Sequence, residues 1–445
     1  MSPSKYKILE AVRKEGVQFV RMQFCDTCGA MKAVTIPVNQ LEDAIENNVW
    51  FDGSSIEGFT RICESDMYLK PDLDTFSVIP WTRSEDIVVA RIICDVYMPD
   101  GEPFEGDPRH ILKKQIERAS KLGYTYYVGP ELEFFLFQKD EKGKLAPLPH
   151  DNAGYFDQTT DRAARIRKEI ALALSDFGLT VETLHHEVAA GQHEISFAYS
   201  NAIKTADAAM TLKFTIKAIA EKHGLHGTFM PKPIAGINGS GMHVHQSLFR
   251  GNTPLFYEKS GPYKLSECAH QFMAGQLAHI KALCAVTNPL VNSYKRLVAG
   301  YEAPVFIAWG QRNRSTLIRI PRYTPGREKS IRFELRCPDP SANPYLAFAV
   351  MLAAGLDGME KKMVAPAPVE ENLFELSVDE ARERGFDVLP QSLWRALHFL
   401  ENDMVIRDAL GEHIYRMFMR AKNAECDAYK TQVSQWELDT YLELY

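Results

Sequence analysis

Along residues 129–137 the chain reads Gly129-Pro-Glu-Leu-Glu-Phe-Phe-Leu-Phe137, an aromatic and aliphatic run that opens after a Gly-Pro break. The pattern predicts a buried β-strand. Glu131 and Glu133 then share one face, their Cα atoms roughly 6.5–7 Å apart, while Leu132, Phe134 and Leu136 fill the other. Two carboxylates at the edge of an apolar core repel and are expensive to desolvate. They call for positive charge beside them, either an Arg or Lys partner or divalent cations. Two later stretches carry the same alternation. In Gly241-Met-His-Val-His-Gln-Ser247, His243 and His245 share a face opposite Met242, Val244 and Gln246. In Ser330-Ile-Arg-Phe-Glu-Leu-Arg-Cys337, the row Ile331, Phe333 and Leu335 packs one way and Arg332, Glu334 and Arg336 point the other. Taken alone, each row also reads as a satisfied core histidine or a cross-strand ion pair.

The same reading orders the rest of the chain. Helical spacing begins at Ser4–Glu15, followed by a hairpin of Val17–Phe24 and Ala30–Ile36. A helix is expected over residues 37–48, then a glycine- and serine-rich loop, Phe51–Phe59, and strands at Phe76–Pro80 and Asp86–Val96. Residues 98–108, with three prolines and two glycines, mark a domain boundary. Beyond it come a helix over Arg109–Leu122 stopped by Gly123, the glutamate strand, and a polar loop through 139–160. A helix over Asp161–Phe177 stopped by Gly178 follows. Strands at Val181–Leu184 and Ile195–Tyr199 flank His185-His-Glu-Val-Ala-Ala-Gly-Gln-His-Glu194, and Ala202–Lys222 is a long helix. Residues 226–235 and 242–249 read as strands, and from Ser341 the chain is mostly helical, broken near 365–376. The alternation of strands and helices indicates an α/β domain.

Length adds that two or more domains are needed, since 445 residues exceed one ordinary core. Composition is that of a soluble globular protein, 45% hydrophobic and 24% charged. A net charge of −7, without a polybasic run, leaves no footprint for nucleic acid or a membrane surface. No signal peptide is visible, and Tyr345–Leu356 is too short an apolar run to span a bilayer. Eight scattered cysteines suit a reducing cytoplasm. Cys25 and Cys28 form a CxxC with no second pair to complete a zinc site, and read as part of a hairpin turn. The chemistry lies in the sum of Glu131, Glu133, Glu187, Glu194, Glu334 and the histidines, an oxygen-rich set suited to Mg²⁺ or Mn²⁺. Arg296, Arg312, Arg314, Arg319, Arg332 and Arg336 accompany them and suit phosphates and carboxylates. Divalent ions beside arginines are what phosphoryl transfer requires. The absence of GxxxxGK[ST] excludes a P-loop, so a nucleotide would lie on an open sheet.

Six segments in order carry a resemblance over essentially the whole chain: Phe51–Ser55, Gly129–Phe134, Asn238–His245, Arg296–Pro304, Arg312–Ser315 and Arg332–Arg336. The chain closely resembles type I glutamine synthetase, a glutamate–ammonia ligase. The resemblance implies an α+β protein: a β-grasp domain over 1–104 and a catalytic domain over 105–445 with a curved antiparallel sheet and helices. It implies a cytoplasmic dodecamer of two hexameric rings, with the 51–55 loop of one subunit closing the catalytic sheet of the next and a terminal helix, Val433–Leu444, docking into the opposite ring. One metal is then held by Glu133, Glu187 and Glu194, a second by Glu131, His243 and Glu334. ATP is contacted by Glu182, Tyr199, His245, Ser247, Arg319, Lys329 and Arg332. Glutamate is held by Asn238, Gly239 and Arg296, with Arg314 and Arg336 on the transferring phosphate and the γ-carboxyl group. Ammonium binds near Asp52, Ser55 and Glu302, Asp52 acting as base and Glu302 sitting on a flap that excludes water from γ-glutamyl phosphate.

Two positions depart from the family pattern. Ala299 stands in the flap where proline is usual, and Phe374 stands where the adenylylated subtype carries a tyrosine, which removes the hydroxyl to be modified. Arg61 matches the arginine used for glutamine feedback in the subtype lacking adenylylation. A PII-type or small inhibitory protein is an open regulatory partner. The alternatives are a γ-glutamyl-polyamine or other amine ligase, which Asp52 and Ser55 disfavour, a catalytically dead homologue, which would lack metal or flap positions, and a guanidino kinase, disfavoured by the complete 51–55 loop.

Overall fold

A computed structural model describes residues 5–54, 56, 66–373, 376 and 378–445. Two sheets with separate apolar cores organise it. In the first, the hairpin of Phe19–Cys25 and Met31–Pro37 lies beside Val89–Tyr97, Asp66–Pro71 and the edge strand Val49–Asp52, in the order 31–37, 19–25, 89–97, 66–71, 49–52. The pairing of Phe19–Cys25 with Val89–Tyr97 is parallel, so the chain between them must cross over. Helices Lys5–Glu15 and Leu41–Asn47 supply Ile8, Val12 and Leu41 to a core built on Val20, Met22, Met67, Leu69 and Ile92.

The second sheet has eleven strands around Thr125–Lys139, which pairs antiparallel with Gln192–Phe197 on one side and Met242–Arg250 on the other. Phe333–Leu335 and Ile318–Arg319 extend it beyond Met242–Arg250, and Val181–His186 beyond Gln192–Phe197. Among the described residues every pairing in this sheet is antiparallel except the short one between Trp309–Gly310 and Ile318–Arg319. The α/β reading of the strand–helix alternation is therefore corrected to the α+β arrangement with an antiparallel sheet that the resemblance implied. The helices follow their strands in sequence but return the chain antiparallel, which periodicity alone does not distinguish. The polar 139–160 stretch also holds a short strand, Leu145–Pro149, and the strand expected over 226–235 shortens to Leu225–Thr228.

Behind the sheet pack three long helices, Ala202–Lys222, Glu267–Thr287 and Pro344–Glu360. The last begins on Asn343, whose side chain accepts from Tyr345 N, with Pro344 in the first turn. Gly275 and Gly358 let the second and third helices touch: a Cβ on Gly275 would lie 2.1 Å from Ala354 O. The two halves meet through Arg109, a buried guanidinium that donates to Asp72 and Asp95 on the N-terminal side and to Asp207 on the long helix. The tip of the Cys25–Cys28 turn is held by Asn343 Nδ2, which donates to Asp26 O at 3.1 Å. Among the described residues no helix is long and apolar enough to cross a membrane.

Candidate active site

Between its polar ends, Thr125 and Gln138–Lys139, the strand Thr125–Lys139 is interrupted by charge at Glu131 and Glu133. Leu132, Phe134 and Leu136 enter the main core, and Phe135 and Phe137 join a small cluster with Ala189. Register then assembles the rest. Glu133 lies opposite Glu194, which lies opposite His185, and Glu131 lies opposite His243 on the other neighbour. Glu334 is brought in one strand further, opposite His245. Period-two alternation puts all of these on one face.

Two groups of ligand atoms result, each within 4.8 Å: Glu131, His243 and Glu334, and His185, Glu187 and Glu194. Glu133 sits between them but turns aside, its Oε2 accepting from Gln192 Nε2 at 2.9 Å and Gly241 N at 3.0 Å. The absent side chain of Gly241 allows the approach of Arg296, since a Cβ there would lie 2.5 Å from its guanidinium. His185 and Gln192 are the site residues that the motifs did not single out. His185 is two positions from Glu187, the same spacing that drew attention to Glu131 and Glu133, and that spacing was the available signal.

The electrostatics are lopsided. Burial, reinforced by Glu187, pushes the Glu133 carboxyl well above the ordinary range, and burial with Glu131, Glu133 and Glu187 does the same to Glu194. Burial also opposes ionisation of Glu131, but hydrogen bonds from His243 and His245 outweigh it and hold its pKa low. Glu334, 1% exposed, is likewise held low despite burial by the histidines and by Arg336 and Arg319; its oxygens accept from Arg319 Nε at 2.6 Å and Arg336 Nε at 3.1 Å. The raised Glu133 and Glu194 reflect buried carboxylates crowded together, a negative charge that divalent cations would offset. Three carboxylate oxygens or imidazoles in each group match the hard-cation donor set. The residues present fit divalent ions.

A cavity of about 40 Å³ opens beside this face, lined by Glu133, Glu187, Gln192, Asn238, Gly239, His243, Arg296, Tyr301, Glu302, Ala303 and Arg336. Arg296 is 3% exposed and anchored by donating to the carbonyls of Cys337, Pro338 and Arg336. Arg336 Nη1 is buried without a hydrogen-bond partner. Glu302 is exposed and lines the cavity, and Arg314 is exposed; burial, with Glu187 next, raises the Tyr155 pKa.

Further along the face, Arg332 Nε donates to His245 Nδ1 at 3.1 Å, His245 Nε2 donates to Glu131, and Ser247 donates to Ile331 O. Tyr199 is half exposed against Tyr127, and Glu182 and Lys329 are exposed. Arg312 is exposed, with its backbone N–H on Glu370. Asp52 is not brought to this cavity. It ends the edge strand of the N-terminal sheet, with its carboxylate accepting from Ser54 N at 2.8 Å. Ser55, Arg61 and Phe374 lie outside the described residues.

Residues 16–99 match the family model of the glutamine synthetase beta-Grasp domain, and residues 105–441 that of the glutamine synthetase catalytic domain. The chain is 53% identical to a glutamine synthetase of Methanocaldococcus jannaschii, covering 98% of this chain and 97% of the relative, and 52% identical to one of Clostridium saccharobutylicum, covering 99% of each. Among solved structures it is similar to a GmaS/ADP complex, with a TM-score of 0.89 and 34% identity over all of both chains. It is also similar to Plasmodium falciparum glutamine synthetase seen by cryo-electron microscopy, with a TM-score of 0.86 and 26% identity over 99% of each.

Proposed function

The chain belongs to the glutamine synthetase family, and we propose that it joins ammonia to the γ-carboxyl group of L-glutamate with ATP, releasing L-glutamine, ADP and phosphate. The observation that carries this reading is the pair of three-residue ligand groups on one sheet face, beside a cavity floored by the anchored Arg296 and the unpaired Arg336 Nη1.

Glu131, His243 and Glu334 hold one divalent cation, and His185, Glu187 and Glu194, with Glu133 alongside, hold the other. The cation is Mg²⁺ or Mn²⁺, and when bound it supplies charge neutralisation and alignment of the ATP phosphates. Glu182, Tyr199, His245, Ser247, Arg319, Lys329 and Arg332 form the nucleotide side. Asn238, Gly239 and Arg296 hold glutamate, and Arg296 binds its carboxylate as a fixed fork. Arg336 and Arg314 take up negative charge on the transferring phosphoryl group. The glutamate γ-carboxylate attacks the γ-phosphorus, the bond to ADP breaks, and γ-glutamyl phosphate forms. Asp52 and Ser55 are assigned to the ammonium side, and Asp52 accepts a proton from ammonium. The ammonia produced attacks the acyl carbon and phosphate leaves. Glu302 at the mouth keeps water from the acyl phosphate.

Domains spanning 1–104 and 105–445, a cytoplasmic location and a dodecamer of two hexameric rings complete the reading. Regulation by glutamine through Arg61, with Phe374 preventing adenylylation, belongs to the same proposal, as does a small regulatory protein partner. The test is glutamine formation from glutamate, ammonium and ATP with Mg²⁺ or Mn²⁺, alongside putrescine and methylamine as amine acceptors. Ammonium is expected to give the highest kcat/KM. A higher value for either amine would replace this reading with an amine ligase.

A further inference from the structure

Behind the acidic face lies a second polar layer that the proposed chemistry does not use. Strand alternation turns His186 and His193 away from Glu187 and Glu194, and the two histidines sit opposite one another in the ladder, both buried. His186 Nε2 donates to Asp151 Oδ1 at 3.0 Å, and its Nδ1 donates to the backbone carbonyl of Glu187 at 2.6 Å. Asp151 is only 5% exposed, and it also accepts from Gly191 N at 3.3 Å and Arg162 N at 3.0 Å, with His150 Nε2 2.9 Å from its other oxygen.

One carboxylate therefore ties together three pieces of chain. They are the strand bearing His185, the turn through Gly191 that leads to Glu194, and the 151–162 segment. That segment in turn lays Tyr155 and Phe156 against the His185 ring, with centroids 5.5 and 5.0 Å away. Glu187 N also donates to Gln192 O at 2.8 Å, Leu136 N donates to Gly191 O at 2.9 Å, and His185 Nε2 lies 2.8 Å from Glu187 Oε1, so the brace acts together with these bonds on where Glu187 points. Outer partners of this kind orient ligands and tune metal affinity.

We infer that Asp151 and His186 are positioning residues, holding the Glu187 backbone and the 188–191 turn so that His185, Glu187 and Glu194 converge on a single divalent cation. The inference rests on the reading that these three residues hold an ion.

The test is titration of the full-length, chelator-stripped protein with Mn²⁺ alone, free Mn²⁺ being read by electron paramagnetic resonance. Asp151→Asn and His186→Gln should each weaken one class of Mn²⁺ site about 10- to 100-fold and leave the other at its wild-type affinity. The weakened class should be the one lost in Glu194→Gln, and Glu131→Gln should abolish the other. Unchanged affinity in both variants overturns the inference. So does equal weakening of both classes with a lowered melting temperature, which is the signature of a purely structural brace. If Glu194→Gln keeps the wild-type Mn²⁺ stoichiometry, the ion reading itself fails. Should Asp151→Asn not fold, His186→Gln decides by the same outcomes.

Discussion

Arg336 faces two ways. Its Nε is committed to Glu334 at 3.1 Å, and its buried Nη1 is left to the cavity. A lysine in its place offers a single ammonium on a flexible stem and cannot serve both sides at once. Arg336→Lys is expected to lower kcat about 10²-fold, the usual loss when one charge-stabilising donor is removed. It should leave Mn²⁺ stoichiometry unchanged, since Glu334 keeps Arg319. Steady-state kinetics with a parallel Mn²⁺ titration check this, and a kcat within twofold of wild type would sink the assigned role. At this scale much was legible, because strand alternation displays charge. Glu131, Glu334 and Arg336 each interrupt or oppose an apolar row. Less legible were residues whose meaning comes from a neighbour on the adjoining strand. His185 became a candidate ligand only once register set it opposite Glu194, and Gln192 only once its amide was seen to turn Glu133 aside.

Helices place the sheet, and their contacts make two expectations at the scale of elements. Gly275 and Gly358 face one another so closely that added side chains meet backbone: a Cβ on Gly358 would lie 2.2 Å from Gln271 O. Gly275→Ala should therefore destabilise by at least about 1–3 kcal/mol through overpacking, against a small gain in helix propensity. Denaturant unfolding would show the loss, and an unchanged midpoint would mean the helices separate freely. His279, in the same helix, bonds Asp403 at 2.7 Å and Asp357 at 3.0 Å, so it links the helix to the caps and faces of two others. Burial disfavours its charged form, but the hydrogen bonds it donates to Asp403 and Asp357 outweigh that and raise its pKa above the usual histidine value. The folded state then holds this proton more tightly than the unfolded chain. The stabilisation is complete below about pH 6.5, the unfolded value, and fades as pH rises through the raised folded value. Melting temperature should accordingly fall less over that upward window in His279→Gln than in wild type; parallel slopes would contradict the linkage. The helix that starts at Asn343 falls in the helical stretch expected from Ser341, whereas the one capped by Ser266 was not among the sequence expectations, although its cap is local. Sheet direction was not legible in the strand–helix alternation, which serves a parallel and an antiparallel sheet alike, and came instead from the resemblance, which implied an antiparallel sheet.

At the scale of the whole molecule, the two halves supply unequal shares of the proposed chemistry. The eleven-stranded sheet holds both ligand groups and the cavity, while Asp52 sits at the edge of the other sheet. That edge is the far side from the hairpin whose turn docks on Asn343. Short edge strands left open are places where another chain can approach. Exposed Trp436, Leu442 and Leu444 near the terminus add apolar surface that a monomer gains nothing by showing. Both features fit a site completed by a neighbouring copy. Asp52→Asn spoils only the donated half of such a site, and Glu194→Gln spoils only the receiving half. Mixed assemblies of the two inactive variants, unfolded and refolded together at equal amounts, should recover about one quarter of wild-type activity, because random neighbours in a closed ring pair two intact halves that often. Each variant refolded alone should recover none. Failure of the mixture to rise above either variant, with assembly verified by sedimentation, would place Asp52 and Glu194 in the same subunit's site, while activity in Asp52→Asn refolded alone would remove Asp52 from the reaction.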